Sequence, residues 1–230
     1  MKLADLQLLP ADLRTAALRR WVPAQGETLG AAALALGAGL PGLARRWAQT
    51  GGPAGAALEA AAALRLGQLQ EALALIGTLP NDARRAVLLG RARWLGGDSE
   101  RCWAEAARRQ ARQEGDAPAL IAAVTLLGEM QLGDPHAALR TLAEGLKVAE
   151  ITGEAADAHL LAVLAYTQRF VGSGLVGSAA KAQRTAHKAL ERADPGSPAR
   201  VWALLALGRE ADASAEAAAG QLAAGWWPRR

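Results

Sequence analysis

A chain of 230 residues that holds 58 alanines and 37 leucines, but only eight valines and three isoleucines, has little material from which to build a sheet. Buried strands are lined by β-branched and aromatic side chains, whereas alanine and leucine lose least on entering a helix. A single Phe and a single Tyr complete the shortage. A doubly wound nucleotide-binding core and an all-β sandwich are both disfavoured, and the sequence predicts an all-α fold. With 51% hydrophobic and 21% charged residues the chain still has enough apolar surface to bury a core.

Helix punctuation then divides the chain at short intervals. Pro10 opens an amphipathic run (Leu13, Ala17, Leu18, Trp21) that Pro23 closes. Thr50–Pro53, Pro80–Asp82, Gly96–Ser99, Gly115–Pro118, Gly133–Pro135 and Asp194–Pro198 each combine a stop with an N-cap residue or a proline suited to a first turn. The runs between them are about 10 to 16 residues long, with apolar spacings of three and four. Short helices joined by short turns pack as antiparallel neighbours, so the chain reads as a string of helical hairpins. Thr28 to Ala44 carries no charge, but it contains four glycines and Pro41. It reads as two short buried helices rather than a membrane span, which needs roughly 20 strongly apolar residues. Asp5 follows closely on Met1-Lys2-Leu3, so no basic-then-apolar leader is expected. The lone Cys102 excludes an internal disulfide, and a cytoplasmic, membrane-free protein is expected.

Glycines that end a first helix (Gly39, Gly67, Gly97, Gly133, Gly174, Gly208) recur at spacings of 28, 30, 36, 41 and 34 residues. Five residues after each stands a small side chain: Ala44, Ala72, Cys102, Ala138, Ala179, Ala213. Such a residue lets the second helix approach the first closely. In this pattern, and best in Ala62–Leu73 and Leu88–Trp94, the chain resembles the tetratricopeptide-repeat (TPR) family of 34-residue helix–turn–helix units. The resemblance covers about residues 25–224 as six hairpins, with a capping helix within 1–24 and a tail at 225–230. It departs from the family at the usual Trp position, which holds Thr28, Ala56, Ala86, Ala122, Val163 and Ser197. What it implies is an α-solenoid of stacked antiparallel hairpins, a right-handed superhelix whose first helices line a concave groove. A solenoid also accounts for the short units, because one hairpin alone cannot bury enough surface. The seven Trp (21, 47, 94, 103, 202, 226, 227) then read mostly as core or cap residues.

Arg84 to Arg112 holds eight arginines against Asp98, Glu100 and Glu105, an excess of five in a chain whose net charge is +4. Arg84 and Arg91 are seven apart and share a helix face with Val87, Leu88 and Leu95, and Trp94 stands beside it. By the resemblance, Arg84, Arg91 and Trp94 face the groove, where guanidinium forks beside an aromatic suit a carboxylate or phosphate. The other reading is a solvated face laced by Arg101–Glu105 and Glu105–Arg109 pairs. Further along, Leu120, Val124, Leu127 and Met130, then Leu161, Leu164 and Val171, either line an apolar groove for an amphipathic segment or form ordinary core.

No chemistry-bearing constellation emerges. Gly172-x-Gly174-x-x-Gly177 matches a dinucleotide fingerprint in form, yet it follows a helical run rather than a strand. It reads as an inter-helix loop. His136, His159 and His187 lack metal spacing, and Cys102 reads as a buried, inert thiol. No nucleophile–base arrangement is present. Trp226-Trp227-Pro228-Arg229-Arg230 reads as a hydrophobic lid on the open end of the array, or else as a docking or self-association patch. The sequence therefore predicts a non-catalytic scaffold without cofactor, catalytic or metal residues. Its partner is a protein or peptide, with an acidic group selected by Arg84 and Arg91. The competing reading is a regulatory, nucleic-acid-associated protein that uses residues 84–112 on phosphates.

Overall fold

The structure, a computed structural model, describes residues 2–24, 26–153, 157–171 and 176–228. Among the described residues there is no strand, and fourteen α-helices follow one another. Helices α1 (Leu3–Gln7) and α2 (Ala11–Leu18) lead. Six pairs follow: α3 (Thr28–Gly37) with α4 (Pro41–Thr50), α5 (Ala56–Arg65) with α6 (Leu69–Thr78), and α7 (Ala83–Leu95) with α8 (Cys102–Glu114). The others are α9 (Ala117–Met130) with α10 (Pro135–Thr152), α11 (Ala158–Val171) with α12 (Val176–Arg192), and α13 (Pro198–Ala206) with α14 (Glu210–Ala219). Every second helix also packs on the first helix of the next pair, and the first helices touch in series from α3 to α13. No helix among the described residues is long and apolar enough to cross a membrane, and Thr28–Ala44 falls in α3 and the start of α4.

Local chemistry explains where several of these helices begin. The carboxylates of Asp82, Asp116 and Asp134 accept from the backbone N–H groups of Arg85, Ala119 and Ala137, and Ser197 Oγ accepts from Arg200 N. Each satisfies one of the orphan donors of a helix start. Two starts differ from expectation. Asp98 does not cap α8; its carboxylate turns to Glu100 N at 2.9 Å and Trp103 Nε1 at 3.0 Å, and the helix begins at Cys102. Residues 1–24 hold two helices instead of one, because Asp5 accepts from Lys2 N at 2.7 Å and closes a separate first turn. Leu6 and Leu18 from those helices are fully buried against Ala35, Ala38 and Ala44.

Alanine dominates the interior. Ala44, Ala72, Ala138 and Ala213 of the small-residue series are buried, whereas Cys102 and Ala179 are exposed. The reason at Cys102 is the late start of α8, whose inward face is Ala104, Ala107 and Ala111. The thiol is thus not a core group, contrary to the sequence reading. Local desolvation, then the Glu100 hydrogen bond and the Glu100 and Asp98 charges, push its pKa up. Native protein should therefore react stoichiometrically with a maleimide, but more slowly at neutral pH than a free cysteine. Absence of labelling until denaturant is added would contradict the exposed placement.

The two ends of the row of pairs meet. Arg14 of α2 donates to both carboxylate oxygens of Asp194 at 3.1 Å, just before α13. Gly39, at φ +69° in the α3–α4 turn, lies so close to the 195–196 turn that an added Cβ would stand 2.1 Å from Pro195 O. A Cβ at Gly220 would stand 1.9 Å from Gly196 O. Only glycine backbones approach this closely.

Candidate functional site

The side chains that converge from the first helices do so around a segment that belongs to no helix. After α14 the chain turns back and lies across α5, α7 and α13. Ala223 N donates to Arg65 O at 2.8 Å, and Trp226 Nε1 donates to Leu64 O at 3.0 Å. Both acceptors are in the last turn of α5, where carbonyls lack intrahelical partners. Trp202 Nε1 of α13 donates in turn to Trp226 O at 2.7 Å. Trp226 is 7% exposed, and Trp227 packs against three of the core clusters. Trp227 thus packs on the last hairpin, as expected of a lid there, whereas Trp226 reaches across to α5, and neither projects as a tip. Arg229 and Arg230 lie outside the described residues.

Two guanidinium groups lie over the Trp226 ring: Arg91 at 4.7 Å and Arg65 at 5.1 Å from its centroid. Such stacking is attractive because the ring face is electronegative. Arg91 is also paired with Glu129 of α9 through two hydrogen bonds, Nη1–Oε2 at 2.5 Å and Nη2–Oε1 at 2.7 Å. Both side chains are buried. His159 Nε2 stands 3.3 Å from Glu129 Oε1, outside hydrogen-bonding geometry, and its ring tilts against Trp202 at 6.4 Å. Burial and the Arg91 and Arg65 charges hold the imidazole pKa well below its usual value, so it is neutral near pH 7.

Two cavities border this centre. One, of about 410 Å³, is walled by α3, α5, α7 and α9 and by Trp226; Leu36, Arg65, Arg91, Ile121 and His159 face it. The other, of about 450 Å³, lies among Trp94, Met130, Leu132, Trp202, Trp227 and Pro228.

The residues singled out in the sequence separate accordingly. Arg91 lines the first cavity, and Trp94 and Met130 line the second. Leu120, Val124 and Leu127 are buried core residues, as are Leu161 and Leu164; the side chain of Val171 lies outside the described ones. Arg84 does not join Arg91. It is exposed and its Nε donates to Asp116 at 2.8 Å, beside the start of α9. Nor do Arg101–Glu105 and Glu105–Arg109 form ion pairs among the described residues. Arg108 and Arg112 instead converge on Glu144 of α10, and Arg93 stacks on Trp103 at 4.9 Å. Gly172 and Gly174 lie outside the described residues. No group of His, Cys, Asp and Glu among the described residues could hold a metal ion.

Arg65, Glu129, His159 and Trp202 were not anticipated as a cluster. Glu129 did leave a signal: it is the only carboxylate in α9, a helix otherwise almost wholly apolar. A buried charge needs a partner, so an isolated one on such a helix points to a cation from a neighbour. Comparisons with protein families, curated proteins and solved structures returned no match.

Proposed function

We propose that the six helical pairs form a TPR-like right-handed solenoid whose first helices present a groove to a protein or peptide, and that the protein is a non-catalytic scaffold. The observation that carries this reading is the segment 221–228. It is a non-helical stretch of chain seated across the first helices by one backbone hydrogen bond, by indole hydrogen bonds of Trp202 and Trp226, and by the packing of its two tryptophans. A surface that accepts its own chain in this way has the acceptors and apolar sockets that peptide recognition uses. The serial contact of first helices, with each second helix on the next first helix, supports the solenoid arrangement.

In this reading a partner anchors an apolar side chain in the cavity at Trp94, Met130 and Trp202. The phosphate-binding alternative has less to draw on. Arg91, Arg108 and Arg112 are already matched by carboxylates, and Arg84 by Asp116. The test is capture of partners from the native cell on immobilised full chain, with Met130→Glu as the control. The partner identified should bind with little dependence on salt and be lost on Met130→Glu, since a second carboxylate would enter a mostly apolar socket that already borders Glu129. Binding that collapses with salt and survives Met130→Glu would instead point to phosphates on the arginine-rich stretch.

A further inference from the structure

Among the described residues, one charge in the first cavity has no ion-pair partner. Arg65 ends α5 with its guanidinium on the face of Trp226, and its Nη1 is closed off from solvent without a hydrogen-bond partner. The ring face attracts the cation but offers no lone pair in the plane of the fork. Arg91 beside it is answered by Glu129, whereas no carboxylate among the described residues comes within ion-pair distance of Arg65. Burial first, then the Arg91 charge, lower the Arg65 pKa to about 10, and the Asp157 charge acts in the opposite direction. Asp157 is itself engaged at the start of α11, where Oδ1 accepts from His159 N at 2.8 Å and Leu160 N at 3.0 Å. The neutral His159 lines the same cavity, with its Nε2 3.3 Å from Glu129 Oε1.

We propose that this cavity binds an amphipathic monocarboxylate, with the carboxylate on Arg65 and the apolar body against Leu36, Val87, Leu88 and Ile121. A guanidinium with a free N–H edge matches a carboxylate in shape and charge. The volume of about 410 Å³ lies within the range of small-molecule pockets. One unmatched cation, with Asp157 on the same wall, favours a single negative charge over the two of a phosphate monoester. His159 borders the site without adding charge. The site needs no macromolecular partner, so its failure leaves the groove reading standing, and failure of the groove reading leaves the site.

The full chain is titrated with octanoate, with N-acetyl-leucine as a carboxylate of the kind a peptide terminus carries, and with 1-octanol as the uncharged match. Binding is read by calorimetry and by the fluorescence of the tryptophans. At least one carboxylate should bind saturably and about tenfold or more tighter than octanol, the scale of one charge-assisted hydrogen bond. Saturation by octanoate alone assigns a free acid, and saturation by N-acetyl-leucine alone assigns a chain terminus. Arg65→Gln should abolish that preference while keeping the thermal midpoint at or above that of the parent, because an uncompensated buried cation is removed. Arg65→Lys, which keeps the charge without the fork, should fall between the two and serves as the comparison should Arg65→Gln fail to fold. Failure of both carboxylates to bind would overturn the proposal. So would octanol binding as well as octanoate, or Arg65 variants that keep the parent's preference.

Discussion

Substituting Trp226 by alanine is expected to lower the free energy of unfolding by about 3–5 kcal/mol, the range for removing a large aromatic from a packed interior. The ring is 7% exposed, carries two guanidinium groups on its face and donates its N–H to Leu64 O. Its removal empties the centre at which α5, α7 and α13 meet. Urea unfolding followed by far-ultraviolet circular dichroism measures the loss, and helicity in the absence of denaturant should persist. Trp226→Phe keeps most of the packing and gives up the Nε1 hydrogen bond. Its cost should be near the net worth of one such bond, about 0.5–1.5 kcal/mol. A Trp226→Ala change no larger than that of Trp226→Phe would show that the segment is not docked in solution.

The second large effect belongs to Glu129. Arg91 and Glu129 form a buried bidentate pair, with side chains 9% and 2% exposed. The Coulombic gain of such a pair is largely offset by the cost of desolvating both ions, but loss of one partner leaves the other uncompensated. Glu129→Ala should therefore destabilise by about 3–5 kcal/mol. The diagnostic is the double variant Arg91→Met/Glu129→Leu, which should recover most of that loss because no buried charge remains. Denaturant midpoints of Arg91→Met alone, Glu129→Leu alone and the double variant give the coupling directly. A double variant as unstable as the sum of the singles would contradict the pairing.

Features of the fold that are written locally could be read before the structure. Asp82, Asp116, Asp134 and Ser197 cap helices because a cap needs only its own next three residues. The turn glycines Gly39, Gly67, Gly97 and Gly208 all adopt positive φ, as stops between paired helices should. What is written between distant residues was not legible. The face of Arg91 follows from Glu129, 38 residues further on, and without that partner an arginine beside Trp94 reads as exposed. The placement of Trp226 follows from Leu64, 162 residues earlier. Arg84 shares the helical face of Arg91, but it lies in the first turn of α7, near enough to Asp116 to pair with it instead. Periodicity gives the direction of a side chain around its own helix, and not which neighbour covers each turn of that helix.

The meeting of the two ends bears on how the molecule comes apart. Arrays built from nearest-neighbour contacts ordinarily fray from their outermost units, because an outer unit has a neighbour on one side only. Here the outermost helices are bound to one another through Arg14–Asp194 and the abutting turns at Gly39 and Gly196, and residue 226 is bound back to α5. Melting should thus be a single cooperative event, with slow amide exchange spread over first and last pairs alike, and refolding should wait on a late ring-closing step between remote stretches of chain.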